Sequence, residues 1–122
     1  MKELTKTEER IMQIFWKIRK GFVKDVIEQL PDDPKPPYNT ISSVVRILVD
    51  KGYLNFKAYG KTHEYFPAIK KSEYRVFQLR KVISEYFSDS PASLLSCIVE
   101  EEELSEQEVK KLKDIINKIE NN

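Results

Sequence analysis

Between Tyr38 and Lys51 the apolar residues Ile41, Val44, Val45, Leu48 and Val49 recur at three-to-four spacing, while Asn39, Ser42, Ser43 and Arg46 fall on the opposite side. That period predicts an amphipathic helix, ended by Gly52, which can take the left-handed conformation of a helix C-terminus. Upstream, Ile11, Met12, Ile14, Phe15, Trp16 and Ile18 predict another helix, with Trp16 in its core. It opens at Leu4-Thr5-Lys6-Thr7-Glu8, where Thr5 and Glu8 have the capping-box spacing, and runs to about Gly21. Phe22 leads to a shorter helix over 23–30, carried by Val26, Ile27 and Leu30. Pro31-Asp32-Asp33-Pro34-Lys35-Pro36-Pro37 lacks the amide donors for a helix and reads as the loop that sets the angle of the next one.

Past Gly52 the period shortens. Tyr53 to Ala58 reads as a strand, Tyr59-Gly60-Lys61-Thr62 as a turn and His63 to Pro67 as the returning strand, with Lys57 and Lys61 near the tip. Helix, loop, polar-faced helix and hairpin, in that order, predict a winged helix-turn-helix. Beyond Ala68 the chain changes to helix formers. Ser72 is the expected cap of a helix through about Ser88, whose Tyr74, Val76, Phe77, Leu79, Val82, Ile83, Tyr86 and Phe87 spread over more than one face. Ser90-Pro91 opens a short helix through Leu94, Leu95, Ile98 and Val99; Glu100 to Glu103 reads as a solvated connection. Ser105-Glu106-Gln107-Glu108 is a second capping box, followed by a stripe of Val109, Leu112, Ile115, Ile116 and Ile119.

The expected fold class is therefore mainly α with a small β-hairpin wing: a winged helix-turn-helix DNA-binding domain over 1–71 and a C-terminal helical dimerisation domain over 72–122. Three short helices bury too little apolar surface for a core of their own, so pairing with the same segment of a second chain is the economical solution. Phe77, Ile83, Tyr86, Phe87, Val109, Leu112, Ile116 and Ile119 are the candidate dimerisation residues. A two-fold dimer also presents two recognition helices to a palindromic operator.

Charge divides along the same line. The net charge of +1 hides 14 Lys and Arg against 9 Asp and Glu in residues 1–71, and 7 against 11 in residues 72–122. A basic first part suits a polyanion, and an acidic second part suits protein. Exposed helix faces usually carry long charged side chains; Asn39, Ser42, Ser43 and Arg46 instead leave room for a close partner, and base edges and phosphates fit. Lys24, Lys57, Lys61 and His63 are the candidate phosphate contacts. Double-stranded RNA fits less well, because its deep, narrow major groove excludes a helix. A winged helix used only for protein-protein interaction is the alternative, and it leaves that small polar face without a purpose. His63 stands without a second histidine or a cysteine at ligand spacing, and no Gly-rich phosphate loop occurs, so neither an enzyme nor a metal site is expected. Nor is a cofactor or small-molecule ligand. With Cys97 as the single cysteine, and neither a signal-peptide core nor a membrane-spanning run, a cytoplasmic protein is expected.

Several stretches together resemble the penicillinase-repressor family of BlaI/MecI type, which also includes the copper-responsive CopY repressors. They are Leu4-Thr5-Lys6-Thr7-Glu8 through Ile14-Phe15-Trp16, Tyr38-Asn39-Thr40-Ile41, Leu48-Val49-Asp50-Lys51-Gly52-Tyr53-Leu54, Tyr65-Phe66-Pro67, and Ser93-Leu94-Leu95 leading to Leu104-Ser105-Glu106-Gln107-Glu108. The resemblance implies a homodimeric repressor on an operator dyad, often upstream of a β-lactam-resistance operon, removed when a membrane sensor metalloprotease triggers its cleavage. It gives Asn39, Thr40, Ser42, Ser43 and Arg46 the DNA-facing role. Where some members are cut at an Asn-Phe bond, the matching pair is Cys97-Ile98, the candidate proteolytic site. The paired C-terminal cysteines of the copper-sensing branch have no counterpart in Lys118-Ile119-Glu120-Asn121-Asn122, which argues against metal sensing by that route.

Overall fold

The computed structural model describes residues 1–101 and 104–120, with only the backbone of Ile116, Ile119 and Glu120. The element order is α1 (Lys6–Ile18), α2 (Val23–Gln29), α3 (Tyr38–Asp50), β1 (Leu54–Tyr59), β2 (Thr62–Pro67), α4 (Lys71–Tyr86), α5 (Pro91–Glu101) and α6 (Glu106–Glu120). The chain divides into two compact units, Met1–Tyr74 and Arg75–Asn122.

In the first unit α1, α2 and α3 pack on one another, and the hairpin rests on α1 and α3. Both halves of the α1 capping box are formed: the Glu8 N–H donates to Thr5 Oγ1 at 3.2 Å and the Thr5 N–H to Glu8 Oε1 at 3.1 Å. The helix stops earlier than the pattern suggests, at Ile18, because Arg19 turns to φ 74° and its N–H closes on the Phe15 carbonyl. Gly21 has another use. It exchanges two backbone hydrogen bonds with Tyr65, at 3.0 and 2.8 Å, in an isolated antiparallel bridge that ties the hairpin to the α1–α2 connection. A Cβ there would lie 2.8 Å from Ile18 Cδ1 and 3.3 Å from Asp25, so only glycine fits without displacement.

The proline-rich loop is pinned at two points. Arg10 pairs with Asp32, and Lys35 Nζ donates to the carbonyls of Glu28 and Leu30 at the end of α2. Ile41, Val45 and Leu48 of α3 are buried, with Val44 and Val49 half-buried beside them. Gly52, at φ 82°, ends α3 and sends Tyr53 into the core, so the first strand begins at Leu54. The strands pair from Leu54↔Pro67 to Tyr59↔Thr62 around a two-residue turn. Gly60 has φ 62° and Lys61 no positive φ, the pattern of a type II′ turn. Trp16 is half-buried, its Nε1 donating to the Ile69 carbonyl at 2.9 Å, and its ring and that of Tyr53 lie 5.4 and 5.9 Å from Tyr74.

Ser72 does not cap α4. The helix starts one residue earlier, at Lys71, and the Glu73 carboxylate accepts the Lys70 N–H at 3.3 Å. In the second unit Ser90 and Ser105 do cap, accepting the N–H groups of Ser93 and Glu108 at 3.1 and 3.2 Å. Glu100 and Glu101 belong to α5 and are not connecting loop; Glu102 and Glu103 lie outside the described residues. α5 packs on α6, yet among the described residues of this unit Ile83 alone is a buried hydrophobic, while Val76, Val82, Tyr86, Val99 and Ile115 are exposed. No described helix is long and apolar enough to cross a membrane.

Candidate nucleic-acid interface

A cleft of about 580 Å³ opens between the start of α2, one side of α3 and one face of the hairpin. α3 contributes Tyr38, Ser42, Arg46, Val49 and Asp50; the α2 start contributes Phe22, Val23 and Lys24; the hairpin contributes Phe56, Lys61, Thr62, His63 and Tyr65. Strand alternation explains the hairpin set. Phe56 faces Tyr65 and Ala58 faces His63 across the ladder, so these side chains share a face. The Phe56 and His63 rings stack, centroids 4.3 Å apart and 4° from parallel.

Tyr65 joins the cleft to the core. Its ring meets Phe15 edge-on at 6.3 Å and Phe56 at 6.0 Å. Burial pushes the Tyr65 phenol above its ordinary value and Tyr38 adds to the rise, while the Arg46 guanidinium opposes it. Lys24, Arg46 and Lys61 give the cleft three cations against the single carboxylate of Asp50.

Of the candidate DNA-contacting residues, Ser42, Arg46, Lys24, Lys61 and His63 come together in this cleft. Asn39, Thr40 and Ser43 are exposed on α3 outside it, and the Ser43 hydroxyl donates back to the Asn39 carbonyl at 2.9 Å. Lys57, also near the tip, does not line the cleft. It sits within β1, across from Glu64 on the other face of the hairpin, with Nζ 5.3 Å from the Tyr59 ring centroid. The aromatic lining escaped the reading of charge and polarity; the alternation of His63 and Tyr65 opposite Phe56 was the available sign.

In the second unit Phe77, Phe87, Val109 and Leu112 are half-buried, Ile83 is buried by its own chain and Tyr86 is 75% exposed. The side chains of Ile116 and Ile119 lie outside the described residues. Cys97 is exposed and Ile98 half-buried, both inside α5.

The family model for the penicillinase repressor matches residues 4–118. The chain belongs to the penicillinase-repressor family. It is 25% identical over 116 residues to the methicillin resistance regulatory protein MecI of Staphylococcus aureus strain N315, covering 95% of this chain and 94% of that protein. It is 24% identical over 119 residues to the penicillinase repressor of Bacillus licheniformis, covering 98% and 93%. Among solved structures, the DNA-binding domain of the repressor BlaI superposes with a TM-score of 0.51 at 28% identity, covering 61% of this chain and 94% of that one. RosR of H. salinarum shares the fold, with a TM-score of 0.54 at 17% identity over 82% of this chain and 94% of that one. The protein is thus a DNA-binding repressor of the BlaI/MecI family, a family without enzymatic activity, and its hairpin after α3 is the wing of a winged helix-turn-helix. A module for protein contacts alone is set aside.

Proposed function

We propose that the protein is a homodimeric repressor that holds a palindromic operator with α3 and the wing of each subunit. Residues 1–71 form the DNA-binding domain and 72–122 the dimerisation domain. Asn39, Thr40, Ser42, Ser43 and Arg46 meet the major groove, with Arg46 the base-reading cation. Lys24 at the start of α2 and Lys61 and His63 on the cleft side of the wing hold phosphates, and Lys57 does so from the wing's outer face. The observation that carries this reading is the convergence of Ser42 and Arg46 on α3 with Lys24 and Lys61 in one cleft.

The dimer forms through the exposed and half-buried apolar positions of α4, α5 and α6. The regulated genes are those of a β-lactam-resistance or related stress operon, in keeping with the names of the MecI and penicillinase-repressor relatives. Induction runs through a membrane sensor metalloprotease and cleavage at Cys97-Ile98. That bond lies within a helix, and a protease binds its substrate extended, so α5 unwinds locally before it is cut.

A gel shift tests the central claim, with the DNA upstream of the protein's own gene set against random duplex and duplex RNA. Retention of the upstream DNA at salt that releases the other two is expected. Equal binding of all three would reject operator recognition.

A further inference from the structure

The cleft beside α3 contains more than a phosphodiester strand uses. Phosphate oxygens take N–H donors and cations, and the negative face of an aromatic ring gives them nothing. Yet this cleft is walled by aromatic side chains. Phe56 and His63 stack ring on ring on the wing side, and Tyr38 lines the α3 side; Tyr38 and Phe56 remain 54% and 45% exposed, open to a further ring. Arg46 on α3 and Lys61 at the turn supply positive charge at the same walls, against Asp50 alone. A volume of about 580 Å³ falls within the range of about 300–1,000 Å³ that suits small molecules, and apolar walls with a few convergent polar groups are the usual composition of such sites.

We propose that this cleft binds a small aromatic carboxylate, its ring against the Phe56–His63 wall and its carboxylate on Arg46, and that such a ligand and DNA exclude one another. The ligand would neutralise the side chain assigned to base reading and occupy the space between α3 and the wing, so it acts as a direct inducer, independent of proteolysis. Binding of the ligand stands on the cleft alone; the exclusion of DNA rests on the operator reading given above.

The test uses the full chain, 15N-labelled and free of DNA, titrated with 2-naphthoate and with its neutral counterpart 2-naphthalenemethanol. Naphthoate is expected to shift the amides of Tyr38, Arg46, Phe56 and His63 saturably in the low millimolar range, and the alcohol to bind about fivefold more weakly for want of the ion pair. Phe56→Ala removes an exposed side chain, and it should weaken naphthoate about fivefold while the remaining amide spectrum stays that of the folded chain. Added operator duplex should reverse the naphthoate shifts. Shifts gathered on α5 and α6, equal affinity for acid and alcohol, or no saturable shift would overturn the site. Naphthoate and operator bound together would overturn the exclusion. Loss of all DNA binding alongside normal naphthoate binding would reject the operator reading and leave the site standing.

Discussion

Arg46 combines exposure on α3 with a place in the cleft, beside Tyr38 and Tyr65 in its lining. In the proposed complex that guanidinium meets the paired acceptors of a guanine edge. Arg46→Ala is expected to cost about 1–3 kcal/mol on the operator and markedly less on random duplex, measured by fluorescence anisotropy at one salt concentration. Equal losses on the two DNAs would move Arg46 to the phosphates. A second residue-scale prediction concerns stability. The buried Glu8 carboxylate accepts from Lys51 Nζ at 2.5 Å, joining the start of α1 to the end of α3. Burial by itself would raise its pKa; the Lys51 hydrogen bond and charge and the Thr5 N–H together hold it below the ordinary 4.5. Glu8 therefore binds its proton more weakly folded than unfolded. Its contribution is complete above the unfolded value and is lost as pH falls through the folded one. Lys51→Ala leaves a buried carboxylate short of a partner and should lower stability at neutral pH by about 1–3 kcal/mol. It should also flatten the loss of urea stability between about pH 5 and pH 3. An unchanged acid limb would show that the pair does not set it.

At the scale of elements, the wing is oriented by two glycines with different tasks. Gly60 supplies the positive φ of the turn, and Gly21 lets the hairpin approach the α1–α2 connection closely enough to exchange hydrogen bonds with Tyr65. Gly21→Val should therefore cost about 1–3 kcal/mol by overpacking against Ile18 and Asp25, read as a lower urea midpoint. Lys61, at the turn and on the cleft, is the wing's candidate for the phosphate backbone. Lys61→Ala should make the slope of log affinity against log salt shallower by about one per subunit at most, with little change in preference between operator and random DNA. A shift in preferred bases at unaltered slope would instead mean that the wing reads the minor groove.

Across the whole molecule, the second unit buries Ile83 and leaves Tyr86 75% exposed, with Val76, Val82, Val99 and Ile115 also open to solvent. So many exposed apolar side chains on so small a unit are costly unless covered, and in the proposed dimer a second copy of the same helices would cover them by symmetry. Sedimentation should give a dimer for the full chain at micromolar concentration. A 1–74 fragment, which keeps Tyr74 on the rings of Trp16 and Tyr53, should be a monomer. A dimeric fragment would place the self-contact on the DNA-binding side.

Helices α1 to α3, the hairpin and their order were legible in the sequence, because a stripe at helical period, a capping box or a Gly-centred turn is decided by neighbours a few residues away. The same holds for Ser42 and Arg46 lying on one side of α3, and for the caps at Ser90 and Ser105. Tertiary structure decided what depends on distant partners. It chose Gly21 as the anchor of the wing, since the need for glycine there comes from Tyr65, Ile18 and Asp25 crowding one point. It separated Lys57 from Lys61, four residues apart in sequence but differently placed on the hairpin, because strand pleat and cleft geometry determine which of them lines the cleft. It also brought Phe22, Tyr38, Phe56, His63 and Tyr65 from the start of α2, from α3 and from the hairpin to the lining of one cleft, a juxtaposition that no local period encodes because packing between elements alone produces it.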